Sequence, residues 1–231
     1  MRLTYSGLVY HMQRLARPLK RLYAIKRPGE PVSREFGLDR GTSLDRYWIE
    51  RYLAQHASTE RGSALEVGET TYLERFFPNF TGSHLELADD GTPNCVVIDL
   101  DASNPSIEPR FDLMIATQVY NFVYETRAAI RNTAALLKPG GVLIGSVGGI
   151  TQISRHDADR WGHYFSFTAQ SWERLLREAF AEVSIESFGN VDTACAFLNG
   201  LAMEEIDRDL LNRHDPDYPV SICFKAVKAR G

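Results

Sequence analysis

Gly62-Ser63-Ala64-Leu65-Glu66-Val67-Gly68-Glu69-Thr70-Thr71-Tyr72 is a short apolar run closed by an acid, a glycine and two hydroxyls. A run of this kind, bounded by polar residues and leading at once into a helix-like segment, predicts the first strand of an open α/β sheet. In such sheets ligands collect outside the carboxyl ends of the strands.

The same alternation continues downstream. Ser83–Leu87 reads as a second strand, and Asp89-Asp90-Gly91-Thr92 as a turn. Cys95–Leu100 is a third strand, apolar as in a sheet covered on both faces, and Phe111–Thr117 a fourth. A helix over Glu125–Leu137 is ended by Lys138-Pro139-Gly140-Gly141, and Val142–Val147 is a fifth strand. Ser171–Ala179 (helix), Ala181–Phe188 (strand), Thr193–Glu205 (helix) and Ser221–Val227 (strand) complete a doubly wound, mostly parallel pattern.

Upstream, Arg27-Pro28-Gly29-Glu30-Pro31 is a break, since two prolines and a glycine favour turns. Ser43 is expected to cap a helix running through Trp48, Ile49, Tyr52 and Leu53. The glycine-hinged stretch Phe36–Tyr47 before it has the composition of a lid. Residues 31–231 therefore read as one domain with a helical extension over 31–60, preceded by an arm over 1–30.

That arm is basic: Arg2, Arg14, Arg17, Lys20, Arg21, Lys26 and Arg27 occur before residue 28 without one acid, although the whole chain carries a net charge of -4. Leu8, Met12, Leu15, Leu19 and Leu22 have helical spacing, interrupted at Pro18. An arm packed on the domain or on a second subunit, as in a homodimer, is one expectation. Peripheral contact of residues 1–27 with an anionic membrane is the other. The acidic remainder disfavours nucleic acid as a partner. Cys95, Cys195 and Cys223 are scattered, which argues against a disulfide framework and for buried fillers in a reducing, cytoplasmic setting. No apolar run approaches the roughly 18 residues of a membrane span.

Chemistry is expected at two places. Glu66, Glu86 and Asp99 leave successive strands, so the sheet brings three carboxylates to one rim, where they can accept from an ammonium, a ribose diol and an exocyclic amine. The long polar loop Gly148–Thr168 comes after the fifth strand. There His156 is the expected base, oriented by Asp157 and Asp159, with Arg160, Trp161, His163 and Tyr164 as a wall. Arg46 and Tyr47 of the lid are expected beside the substrate. A divalent metal on His156, Asp157 and Asp159, or on His214, Asp215 and Asp217, is a further reading, although neither spacing is a recognised ligand pattern.

Four segments, in order, resemble the class I S-adenosylmethionine-dependent methyltransferases: Ala64-Leu65-Glu66-Val67-Gly68, Asp99-Leu100, Phe111–Ala116 and Leu137-Lys138-Pro139-Gly140-Gly141-Val142-Leu143-Ile144. The resemblance covers roughly residues 60 to 190. It implies a Rossmann-like seven-stranded sheet with helices on both faces and an antiparallel last strand. It also implies a cofactor site with Gly68 at the methionine moiety, Glu86 on the ribose, Asp99 and Leu100 at the adenine, and Thr117 and Gln118 beside the sulfonium. One departure stands out: the family's glycine-rich turn is here Gly68-Glu69-Thr70-Thr71-Tyr72, where Thr70 and Tyr72 would narrow the approach to the cofactor. The runs Asp157–Tyr164 and Phe36–Thr42 are similar, more loosely, to methyltransferases of bacterial carbohydrate and glycosyltransferase pathways. That similarity implies O-methylation of a hydroxyl on a saccharide or glycosylated small molecule. A natural-product methyltransferase and a non-catalytic scaffold with an altered cofactor loop are the alternatives.

Overall fold

The computed structural model describes residues 29–103 and 107–231. The basic arm lies outside the described residues, apart from its last two positions. Met1–Val32 and Ser33–Gly231 separate as two units, and the sheet with its helices belongs to the second.

At the centre of that unit is a seven-stranded sheet in the order β3-β2-β1-β4-β5-β7-β6. The strands are β1 (Gly62–Val67), β2 (Phe80–Glu86), β3 (Cys95–Val97), β4 (Phe111–Thr117), β5 (Leu137–Gly148), β6 (Glu182–Phe188) and β7 (Ser221–Val227). All neighbours run parallel except β7, which is antiparallel to both β5 and β6. The order reverses between β1 and β4, which opens a crevice at their carboxyl ends.

Among the described residues there are seven α-helices in chain order: α1 (Leu44–Gln55), α2 (Thr71–Phe76), α3 (Thr126–Leu136), α4 (Arg155–Ala158), α5 (Ala169–Leu176), α6 (Val191–Leu198) and α7 (Arg208–Leu211). Period-two alternation along β4 shows how both sheet faces are used. Leu113 and Ile115 pack with Ile49, Leu53 and Leu73 of α1 and α2, whereas Met114 and Ala116 pack with Ile130 of α3 and Trp172 of α5. The sheet is thus a middle layer with apolar side chains on each side, which is why its central strands are nearly continuous hydrophobic runs.

Several boundaries differ from the sequence reading. β3 stops at Val97, and this edge strand is not covered on both faces, since Val97 is exposed. Lys138-Pro139-Gly140-Gly141 is not a separate terminator after the helix. The chain turns extended at Leu137, which pairs with Phe111, and the register resumes with Val142 opposite Leu113. Ser43 does not accept from the helix backbone, and its hydroxyl donates to Asp45 Oδ1 instead (2.6 Å). α5 starts at Ala169 because Thr168 and Ser171 form a reciprocal capping box. The helix read over Thr193–Glu205 is instead α6, capped by Asn190 and ended before Gly200, whose φ of +72° breaks it, and a separate 3-10 turn at Met203–Glu205. Of the three cysteines only Cys223 is buried, with Cys95 half-buried and Cys195 exposed. Among the described residues no helix is long and apolar enough to cross a membrane.

Candidate functional site

A cavity of about 820 Å³ occupies the crevice. One half is made by the ends of β1, β2 and β3, with Gly68, Glu86, Asp99 and Leu100 on its wall, and Thr117 and Gln118 at its floor. The other half is bounded by Phe36 and Leu38 ahead of α1, Asp45 and Arg46 of its first turn, and Asp157, Trp161 and His163 of the loop after β5.

The turn after β1 is built unlike the rim that the three acids predicted. Glu66 is buried, and its two oxygens accept from the backbone N–H groups of Tyr72 (3.3 Å) and Leu73 (2.8 Å). It thereby closes the first turn of α2 while still lining the cavity beside Gly68. Burial pushes its carboxyl up to about 7, against the pull of those two amides. A carboxyl raised above its ordinary 4.5 binds a proton in the folded state that the unfolded chain has already released. Its contribution to stability is therefore complete below pH 4.5 and is lost as the pH rises through about 7. Glu66→Gln, which does not titrate, is expected to gain about 3 kcal/mol on the parent across that window, seen as a difference in Tm that moves in the variant's favour with rising pH. A pH-independent difference would contradict the burial of an ionisable group there.

The replacement of the glycine-rich turn does not obstruct the cavity at Thr70. The Thr70 hydroxyl donates to Glu74 (2.6 Å), and its methyl approaches Gly82 of β2, outside the cavity wall. Tyr72 does line the cavity, nearly buried and packed on Phe76. Gly68 has φ +85°, and a Cβ there would meet nothing within 4 Å, so the backbone faces open space. Glu86 at the end of β2 lines the cavity with no side-chain partner among the described residues. Asp99 accepts from the N–H of Asp101 (2.9 Å), which shapes the turn leaving β3. Gln118 has φ +56°, a conformation that residues with side chains rarely adopt and that concentrates at functional sites.

The loop after β5 divides its residues differently from the sequence expectation. His156 is exposed and off the cavity wall, its Nδ1 3.4 Å from Asp157 Oδ1. Asp159 is exposed and paired with Arg155, while Arg160 turns back to the carbonyl of His156 (2.9 Å). Tyr164 packs edge-on against Tyr124 outside the cavity, and Tyr47 bonds Asn212. The reason is the single turn of α4: Ser154 caps it, turning Asp157 inward and its neighbour His156 outward. Trp161, His163 and Asp157 do reach the cavity, as does Arg46. Neither His156-Asp157-Asp159 nor His214-Asp215-Asp217 gathers as a three-ligand cluster among the described residues. Asp215 accepts from the N–H of Asp217 and serves a turn.

His163 takes a defined tautomer. Its Nδ1 accepts from the N–H of Ser154 (3.2 Å), so the neutral ring carries its proton on Nε2, which is buried without a hydrogen-bond partner among the described residues. Desolvation holds its pKa below the ordinary histidine value against the attraction of Asp157. A ring held neutral in this way is a poor base. Asp45 has the complementary property: Oδ1 accepts from Ser43 (2.6 Å) and from the N–H of Arg46 (2.9 Å), while no partner takes Oδ2 among the described residues. Burial pushes its carboxyl up.

Asp45 and Asn121 were not singled out from the sequence. Asn121 is buried beyond the end of β4, donating to the carbonyls of Gly148 (3.2 Å) and Phe165 (2.6 Å) and accepting from the N–H of Gly148 (2.9 Å). It ties together the ends of β4 and β5 and the loop that carries His163. A polar residue a few positions beyond an apolar strand was the available signal for Asn121, and an acid in a first helical turn that for Asp45.

No family model matches the chain, and no curated protein does. Solved structures do. They include the [4+2]-cyclase SpnF (18% identity, 96% of this chain and 96% of that one, TM-score 0.52). They also include the N-methyltransferase NodS of Bradyrhizobium japonicum WM9 in complex with S-adenosylhomocysteine (16% identity, 85% and 93%, TM-score 0.51). A third is an S-adenosylmethionine-dependent methyltransferase of Thermotoga maritima (14% identity, 80% and 89%, TM-score 0.53). The fold is that of the class I methyltransferases. Within the methyltransferase fold, the crevice between β1 and β4 is where this chain has its cavity, and identities this low establish the architecture alone.

Proposed function

We propose that the chain is an S-adenosylmethionine-dependent methyltransferase that O-methylates a hydroxyl of a saccharide or a glycosylated small molecule. The observation that carries the cofactor is the conjunction of Gly68, with open space before its backbone, and Glu86, an unpartnered carboxylate at the end of the next strand. Both face one cavity. Glu86 would hold the ribose diol, Asp99 and Leu100 the adenine, and Arg46, which has no ion pair among the described residues, the cofactor's carboxylate. When bound, S-adenosylmethionine supplies a methyl group already activated on a sulfonium.

The protein's own work is then positioning and proton removal. Asp45 is the base this geometry favours, since its Oδ2 is free and its proton affinity is raised. His163, neutral and on the cavity wall, helps to shape the acceptor side of the site. Trp161, exposed at the rim, offers a face on which the apolar side of a sugar ring can stack. A cyclase such as SpnF shares this architecture with methyltransferases, so the site and not the fold carries the proposal.

Calorimetry with S-adenosylhomocysteine is the first test. Saturable one-site binding is expected, and absence of binding would favour the non-catalytic scaffold. Transfer of a labelled methyl group to saccharides tests the acceptor separately, and transfer only to amines or carbon acids would remove the O-methyl assignment.

A further inference from the structure

At the edge of the sheet, away from the chemistry proposed above, β2 and β3 are in a register that makes His84 and Cys95 direct partners. Partners on adjacent strands project to the same side about 5 Å apart. The loop between them folds back over this pair. Asp89 Oδ1 accepts from the N–H of Gly91, and Asp90 Oδ1 accepts from both the N–H and the hydroxyl of Thr92. With one oxygen committed to the turn, the other reaches His84 Nε2 at 2.8 Å. One donor atom each of His84, Asp90 and Cys95 therefore lies within 4.8 Å of the others.

We propose that His84, Asp90 and Cys95 form a zinc site that clamps the edge strand β3 to β2. Zinc–ligand bonds of about 2.0–2.3 Å place ligand atoms of a tetrahedral site roughly 3.3–3.8 Å apart, so the three side chains need move by only about 1 Å. The backbone already supplies their directions. A nitrogen, an oxygen and a sulfur together suit zinc, whereas magnesium and calcium take oxygen ligands. Binding exchanges the His84–Asp90 hydrogen bond for a bond from each to the metal. The Cys95 thiol makes only a 3.9 Å contact with the carbonyl of Ala88, and it loses its proton to solvent as the sulfur–zinc bond forms. The Thr92 hydroxyl, 3.4 Å from His84 Nε2, or a water completes the four ligands. His84 is largely covered and Asp90 is exposed, so the ion has a route from solvent to a partly enclosed position. A clamp has a purpose here. β3 is only three residues long, and the segment after it carries Asp99 to the cavity.

The test uses the full chain, stripped with a chelator and titrated with cobalt and then zinc. One equivalent of cobalt is expected to give a thiolate-to-cobalt charge-transfer band with intense tetrahedral ligand-field bands. Zinc should abolish both and raise Tm, and excess magnesium should do neither. Cys95→Ser is expected to lose the charge-transfer band, while Cys195→Ser keeps it. Absence of the band from the parent, or its survival in Cys95→Ser, overturns the proposal. Should Cys95→Ser fail to fold, Asp90→Asn on the exposed loop replaces it: zinc affinity is expected to fall at least about tenfold, and unchanged affinity overturns the site. None of these readouts depends on methyl transfer.

Discussion

S-Adenosylhomocysteine is expected to bind Glu86→Ala about 10- to 100-fold more weakly than the parent, with Tm unchanged. The lost interaction is a carboxylate accepting from two ribose hydroxyls. Hydrogen bonds to a charged group contribute roughly 1.5–3 kcal/mol, which corresponds to this range. Stability should be spared because the Glu86 side chain has no partner within the described protein. It stands at the end of β2, whose backbone pairing with β1 and β3 is independent of that side chain. Calorimetry gives the affinity and a thermal melt the stability. An affinity that does not change would take Glu86 out of the cofactor site. An affinity that falls together with Tm would mean that the residue supports the fold instead.

Asn121→Ala should do the opposite, lowering stability strongly wherever the ligand binds. The amide is buried and makes three hydrogen bonds, and its removal leaves the N–H of Gly148 and the carbonyls of Gly148 and Phe165 without that partner. The Gly148 carbonyl keeps the N–H of Phe167 (2.9 Å), so two groups are left unsatisfied; at about 1–3 kcal/mol each, a loss on the order of 3 kcal/mol is expected. For a domain of this size that is a fall of roughly 10 °C in Tm. The backbone of Asn121 also accepts from the N–H groups of Tyr164 and Phe165 (2.9 and 3.2 Å), bonds that survive the substitution. The loop should therefore loosen and not detach. Chemical denaturation at two temperatures measures the loss, and a change below about 1 kcal/mol would show that water replaces the amide readily.

The central strands were legible because their chemistry is local. Phe111–Thr117 and Ser221–Val227 are strands with the bounds read from their apolar runs, and β1 is the first six residues of the stretch Gly62–Tyr72 read as a strand and turn. Edges were harder. Cys95–Leu100 is apolar but for Asp99, yet only its first three residues pair, because β3 has a single neighbour and the chain leaves it at Ile98. Asp99 thus reaches the cavity from a turn and not from a strand end.

Residues read at the strand ends line the cavity, whereas those read in the loop after β5 are divided between the cavity and solvent. Strand-end residues such as Gly68, Glu86, Thr117 and Gln118 are placed by the strands themselves, so position in the chain implies position in space. In the loop after β5, adjacency means little: Asp157 and His156 are neighbours, but one turn of helix sends one inward and the other to solvent. His163 enters the cavity because Ser154, Asn121 and Phe122 hold the loop from three directions.

From the sequence alone came the alternation of strands and helices, the crevice at the strand ends and the acids carried to its rim, because periodicity and strand polarity are properties of neighbouring residues. Tertiary structure alone decided what each acid does there. Glu66 is taken by the N–H groups of α2, Glu86 stays open, and Asp45 arrives from a helix that precedes the sheet. Whether a carboxylate is a cap, a ligand or a base depends on which donors pack against it, and those donors are distant in the chain.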